Sequence, residues 1–269
     1  MIKKHFITCS VILVLAVILK LNIYSVAVVK PTPVPAPHTP RFISYINYSA
    51  AGKTEYSFAN ESLPASDKVY RKMRNSLKRH TYKNVQSHIL QIKAEKIFPI
   101  IEPILKAYGI PNDFRYLPLV ESGLKEGTSS KGAAGVWQFM PGTARTYGLK
   151  VGDGVDERLN LRKATIAACK YLRDLHNEFD SWTLAAAAYN NGSIKLAKAI
   201  RTQSEDNYFR MKLNRETGNY VYNLIAMKAI IDHPKRYGYD NSQNDLQPKD
   251  SNLQLKDSYL QPKDFIAYN

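Results

Sequence analysis

Cysteine is nearly absent from the 269 residues: Cys9 and Cys169 are the whole supply, and Cys9 lies in an apolar N-terminal run. A folded part that keeps only Cys169 cannot form an internal disulfide. Within the helical "ATIAACKYL", a lone thiol fits a core position better than a nucleophile. No CxxC and no paired-histidine spacing occurs, so neither a metal site nor an organic cofactor is expected. Alternating strand runs are missing too, and the periodic segments follow three-four spacing, which predicts an all-α fold. Acids are scarce relative to bases: 23 Asp and Glu face 38 Lys and Arg, a formal net charge of +15.

Much of that charge is local. Between Lys68 and Lys96 stand nine Lys or Arg and one acid, Glu95. Such a run is either a solvated helix face or an attraction for a polyanion such as nucleic acid, anionic lipid or an acidic wall polymer. The N-terminus narrows the choice. Lys3 and Lys4 precede an apolar run from Phe6 to Leu19, and "SVA" at 25–27 offers a small-residue cleavage site. Residues 1–29 therefore read as a signal peptide or a signal anchor, which sends the rest to the periplasmic side of an inner membrane. Nucleic acid is then not an expected partner, and a membrane tether is.

Three further segments follow. Residues 30–66 begin with "KPTPVPAPHTP" and read as a Pro-rich, then polar and loosely ordered, linker. Residues 67–240 carry the helical pattern. Within them Pro99 and Pro103 are expected to kink or divide the run from His88 to Gly109. Asp113 to Ser122 reads as a short helix closed by Gly123. Pro141 opens another, Asn160 and Ser181 cap two more, and "ETGNYVYNLIAMKAIIDHP" is a last long one. Residues 241–269 hold three copies of a seven-residue unit beginning at Leu246, Leu253 and Leu260. Pro248 and Pro262 argue against a coiled coil there, so a flexible tail is expected.

The chemistry concentrates after Tyr116. Glu121 ends an apolar run, and both burial and a helix C-terminus disfavour its charge, which suits a general acid. The small-residue loop "SSKGAAG" then leads to Trp137, Gln138, Phe139 and Met140. Flat or soft surfaces around one amide suit sugar rings, although one of the two aromatics is expected in the core. Tyr189 and Asn190 end an alanine-rich helix that can pack closely and bring its tip near another element.

"ESGL", "GAAGVWQFMPGTA", "AAYNNG" and "ETGNYV", in that order, resemble the family 1 lytic transglycosylases, specifically the membrane-bound type D group. The likeness runs from about Leu63 to Tyr239. It implies a lysozyme-like domain that cleaves the β-1,4 bond between N-acetylmuramic acid and N-acetylglucosamine without water, leaving a 1,6-anhydro end. On that likeness Glu121 is the acid and then the base, and peptidoglycan glycan strands are the partner. Ser129, Gln138, Met140, Tyr189, Asn190 and Tyr220 are carried over as substrate contacts, with Ser130 competing with Ser129. Glu216 is expected to orient its helix. Type D enzymes often carry C-terminal LysM modules, and none is read after Tyr239. A goose-type hydrolytic lysozyme and a non-catalytic peptidoglycan scaffold are the competing readings, and oligomeric state stays open.

Overall fold

A computed structural model describes residues 56–85, 87–121 and 128–239, all within one of the chain's two compact units, residues 48–269. The expected export segment 1–29, the Pro-rich stretch, the heptad tail and residues 122–127 lie outside the described residues.

The chain first forms a two-residue-stranded hairpin, β1 (Ser57–Phe58) against β2 (Glu61–Ser62), paired Ser57 to Ser62 and Phe58 to Glu61. Its turn residues Ala59 and Asn60 both take positive φ, 49° and 67°, as a tight hairpin of matching twist requires. The sequence places these residues in a loosely ordered linker, and the structure corrects that. Phe58 is fully buried and meets Phe114 edge to face at 5.0 Å. Too few apolar residues stand here to reveal a period, so the packing was invisible from sequence.

Helix α1 (Asp67–His80) starts at Ser66, whose hydroxyl accepts from Val69 N at 3.2 Å. Val69, Met73, Ser76 and Leu77 form its buried stripe. After the single turn α2 (Tyr82–Val85) comes α3 (Ile89–Ala107), which is continuous through both prolines. Pro99 and Pro103 lie four apart on the exposed side, while Ile101, Ile104 and Leu105 are buried. The two lost hydrogen bonds thus free carbonyls of Glu95 and Pro99, both on the solvent side, where water serves them. A 3-10 turn (Asn112–Tyr116) runs into the five-residue α4 (Leu117–Glu121). Where one helix is expected from Asp113, Pro118 falls in the first turn of α4, a place that tolerates its missing N–H.

Helix α5 (Pro141–Thr146) is followed by a second small hairpin, β3 (Val151–Gly152) with β4 (Val155–Asp156). Helix α6 (Leu161–Phe179) is capped by Asn160, and α7 (Trp182–Asn191) by Ser181, both as the sequence predicts. Then come α8 (Ser193–Gln203) and α9 (Thr217–Asp232).

Helix α9 is buried on all sides, which its apolar sequence from Tyr220 to Ile230 requires. It packs against α1, α7 and α4, and α6 packs against α3 and α7. Thr183 to Ala188 are all buried, so the alanine run lets α7 approach its neighbours closely. Cys169 is fully buried beside it in α6, and burial pushes its thiol up to about 12. An inert core thiol is the result.

Candidate active site

Glu121 occupies the last position of α4, and what fixes α4 is an anchor behind it. Leu117 and Leu119 are buried, and Tyr116 donates from its hydroxyl to Asp232 at the end of α9. Arg115 joins the same knot, pairing with Glu102 of α3 at 2.6 Å and Asp232 at 3.1 Å. A short helix that could not hold itself is thereby bolted to two long ones.

From this position the Glu121 carboxyl meets the hydroxyl of Tyr220, one turn into α9, which donates to its Oε1. Burial is the main reason the carboxyl is pushed up to about 7, and the charge of Glu216 adds to it. The Tyr220 hydrogen bond works the other way, since it favours the ionised form. Burial and the neighbouring Glu121 raise the Tyr220 phenol well above its ordinary value, so it stays a donor. The expectation that the helix dipole raises Glu121 is not needed: α4 has one turn, and burial dominates.

The carboxyl opens onto a cleft of about 530 Å³ lined by Val120, Glu121, Asn190, Glu216, Asn219 and Tyr220, with Arg79, Arg215 and Asn223 along the rest of the wall. Glu216 is a second carboxylate on this cleft, and it stands at the start of α9, where its Oε1 accepts from Asn190 Nδ2 at 2.9 Å. Asn190 in turn accepts from Thr217 Oγ1 at 3.0 Å, so the end of α7 is stitched to the start of α9.

The aromatic surfaces are placed differently from the sequence expectation. Trp137 and Phe139 are both core, at 0% and 2% exposure, so neither face is available to a sugar. Trp137 Nε1 donates to Thr165 at 2.9 Å, and the Trp137 carbonyl accepts from the Tyr189 hydroxyl at 2.8 Å. Tyr189 is close enough for the Glu121 charge to help raise its phenol, but the direct hydrogen bond to Glu121 is made by Tyr220.

The loop bearing these residues is held by a buried arginine. Arg158 donates to the carbonyls of Gly132 at 2.7 Å and Phe139 at 2.9 Å, and pairs with Asp156 at 2.6 Å. Ala134 and Phe139 exchange backbone hydrogen bonds across the turn. Gln138 sits in that turn at φ 49°, with Nε2 donating to the Gly135 carbonyl at 2.8 Å. Ser129 closes a neighbouring turn: its hydroxyl accepts from Ala133 N at 3.0 Å, and Ser130 is exposed beside it. Met140 is 45% exposed. Among the described residues, Glu121, Asn190 and Tyr220 of the expected site line this cleft.

Arg79, Arg215, Asn219 and Asn223 are cleft residues the sequence reading missed. Arg79 was only one of nine cations in a basic run, and nothing in its spacing sets it apart. Among the described residues no three His, Cys, Asp or Glu side chains group as metal ligands.

Residues 98–211, from within α3 to just past α8, match the family described as Transglycosylase SLT domain. The described residues are helical apart from two small hairpins, and Glu121, Tyr189 and Asn190 fall inside the matched stretch while Tyr220 lies beyond it. The chain is similar to the membrane-bound lytic murein transglycosylase D of Escherichia coli, 32% identical over 182 residues, which covers 65% of this chain and 39% of that enzyme. It is 38% identical over 100 residues to the peptidoglycan transglycosylase gp16 of Escherichia phage T7, 36% of this chain and 7% of that protein. A putative tributyltin chloride resistance protein of an Alteromonas species is 26% identical over 148 residues, 53% of this chain and 72% of that protein.

Proposed function

We propose that the protein is a lytic transglycosylase acting on peptidoglycan at the cell envelope, with Glu121 as its single acid and base. The observation that carries this is a carboxyl pushed up to about 7, hydrogen-bonded by Tyr220, at the wall of an open cleft. A group with that proton affinity gives up and regains a proton near neutrality. The SLT match and the names of the two transglycosylase relatives support the substrate class.

The step we infer balances without water. Protonated Glu121 gives its proton to the glycosidic oxygen, and the bond from that oxygen to muramyl C1 breaks. The muramyl C6 hydroxyl then bonds to C1 and returns its proton to the Glu121 carboxylate, closing a 1,6-anhydro ring. Substrate therefore supplies the nucleophile, and one carboxyl suffices where hydrolytic glycosidases use two. Asn190 and Tyr220 are the inner contacts in this reading. Ser129, Gln138 and Met140 are proposed as outer contacts of a longer glycan, with Tyr189 as support beneath them.

Glu216 on the same cleft favours a second reading, a hydrolase with two carboxylates. Digestion of sacculi followed by mass spectrometry separates the two. The transglycosylase reading expects anhydro ends, lighter than hydrolysed ends by one water, from both wild type and Glu216→Gln, and none from Glu121→Gln. Reducing muramyl ends, lost in Glu216→Gln, would establish the hydrolase instead. Residual release by Glu121→Gln at the wild-type rate would remove Glu121 from the mechanism altogether.

A further inference from the structure

The hydrogen bond from Tyr220 to Glu121 joins an acid inside the matched stretch 98–211 to a helix outside it, so α9 must be held at the right height. The tolerance is small. A slide of α9 by one residue is a shift of about 1.5 Å, enough to break a hydrogen bond. Apolar packing resists such a slide poorly, because it has no direction. Helix α1, which packs against α9 and buries Val69, Met73 and Leu77, supplies more than that.

Lys72, Ser76 and Arg79 recur at i, i+4 and i+7, which sets them along one edge of α1. All three reach polar atoms of α9. Lys72 Nζ donates to the Gly218 carbonyl at 2.7 Å and lies 5.4 Å from the centroid of the Tyr222 ring. Further along, the Ser76 hydroxyl and Arg79 Nη2 both donate to Asn223 Oδ1, at 2.7 and 2.8 Å. Gly218 and Asn223 bracket Tyr220 in the chain. Two polar clamps thus grip the part of α9 that carries the hydroxyl, while the Asn190 bond to Thr217 grips it from α7. Ser76 is fully buried, and burial depresses the Lys72 ammonium, so both groups would be costly without these bonds.

We propose that Lys72 is a positioning residue of the active site: together with the Ser76–Arg79–Asn223 clamp, it holds α9 at the height from which Tyr220 bonds Glu121. Its value for catalysis rests on the function proposed above, in which Glu121 is the acid. The bond itself can be read without turnover. It lowers the proton affinity of Glu121, while burial and the Glu216 charge raise it. Tyr189 of α7, with Arg79 and Arg215 on the cleft wall, completes the titratable and charged surroundings of the carboxyl.

The test follows the titration of the Glu121 carboxyl by carbon NMR in the full chain. Tyr220→Phe removes the bond and sets the full upward shift. Each clamp leaves the other in place, so Lys72→Met and Asn223→Ala are each expected to give about half of that shift, and the two together nearly all of it. In the Tyr220→Phe background neither adds anything. A lower melting temperature with an unmoved titration would reduce the clamp to a packing contact and overturn the proposal. A Lys72→Met shift that persists without the Tyr220 hydroxyl would be the lost charge acting directly, and overturns it too. So does a Tyr220→Phe variant whose Glu121 titrates as in wild type. If Lys72→Met does not fold, Asn223→Ala, which changes no charge, reads the same shift. Failure of the transglycosylase reading shows separately, as absence of anhydro ends from wild-type digests.

Discussion

Glu121 controls two measurable quantities through one proton. Its carboxyl titrates near 4.5 when unperturbed and near 7 in the fold, mainly because of burial. The folded state therefore holds the proton more tightly than the unfolded one. That advantage is complete below about pH 4.5 and is lost as pH rises through 7. Glu121→Gln, which keeps the shape and the oxygen that accepts from Tyr220, should leave stability unchanged at pH 4 and raise it by about 1–3 kcal/mol at pH 8. Paired denaturant titrations at the two pH values check this. Activity that needs the protonated acid should fall as pH rises past about 7. Tyr220→Phe removes the one hydrogen bond that lowers the Glu121 pKa, so the alkaline limb should move to higher pH. A limb that moves down, or stays, would mean that Tyr220 does not set the proton affinity.

Among the elements, the loop between α4 and α5 depends most on a few contacts. A Cβ built on Gly135 would lie 1.9 Å from the Arg158 carbonyl oxygen, and its φ of 75° disfavours any side chain. Gly135→Ala should therefore cost about 3 kcal/mol or more, read as a fall in melting temperature. Arg158→Met removes the donors to Gly132 and Phe139, leaving the Phe139 carbonyl only Ala134 N and Asp156 without its ion pair, for a loss of about 2–4 kcal/mol. Nothing in "VDERLNL" marks Arg158 as different from its neighbours. Its role follows from a loop that the chain brings back 19 to 26 residues away. The basic helix α1 is also divided by structure. Lys72 donates to the Gly218 carbonyl at 2.7 Å and lies over the Tyr222 ring, whereas Arg74 is exposed. Lys72→Glu should loosen α1 from α9 and lower the melting temperature, while Arg74→Glu should not. Equal effects would return the whole run to the status of a solvated face.

At the scale of the whole molecule, the hairpin 57–62 binds the ends of the fold together. Glu61 accepts from Thr183 Oγ1 at 2.6 Å, from Ser181 Oγ at 3.0 Å and from the first N–H groups of α7, where a carboxylate complements the helix dipole. Asp113 similarly accepts from Ala59 N at 2.8 Å and Lys228 Nζ at 2.7 Å, joining hairpin, 3-10 turn and α9. Glu61→Gln should destabilise by about 1–2 kcal/mol, a shift of a few degrees in melting temperature. An unshifted melt would mean that Phe58 packing and the Asp113 contact hold the hairpin without Glu61.

The caps at Ser66, Asn160 and Ser181, the helical class and the candidate acid were legible in the sequence, because each depends on local chemistry or on a periodic pattern. The α3 prolines were misleading because exposure, which a sequence does not print, decides whether a lost hydrogen bond is costly. Of Trp137 and Phe139 one was expected in the core and the other against sugar, and both are core, since an aromatic side chain serves either purpose with the same composition. Tertiary structure alone decided what surrounds Glu121. Tyr220 and Glu216 come from nearly a hundred residues downstream, and Arg79 from 42 residues upstream, on helices that meet only after folding. The sequence determined that the chain sets a lone acid at the end of a short helix. The packing of α9 against α1, α4 and α7 decided that this acid is half-buried, hydrogen-bonded and flanked by a second carboxylate, because burial and charge proximity are properties of the assembled helices.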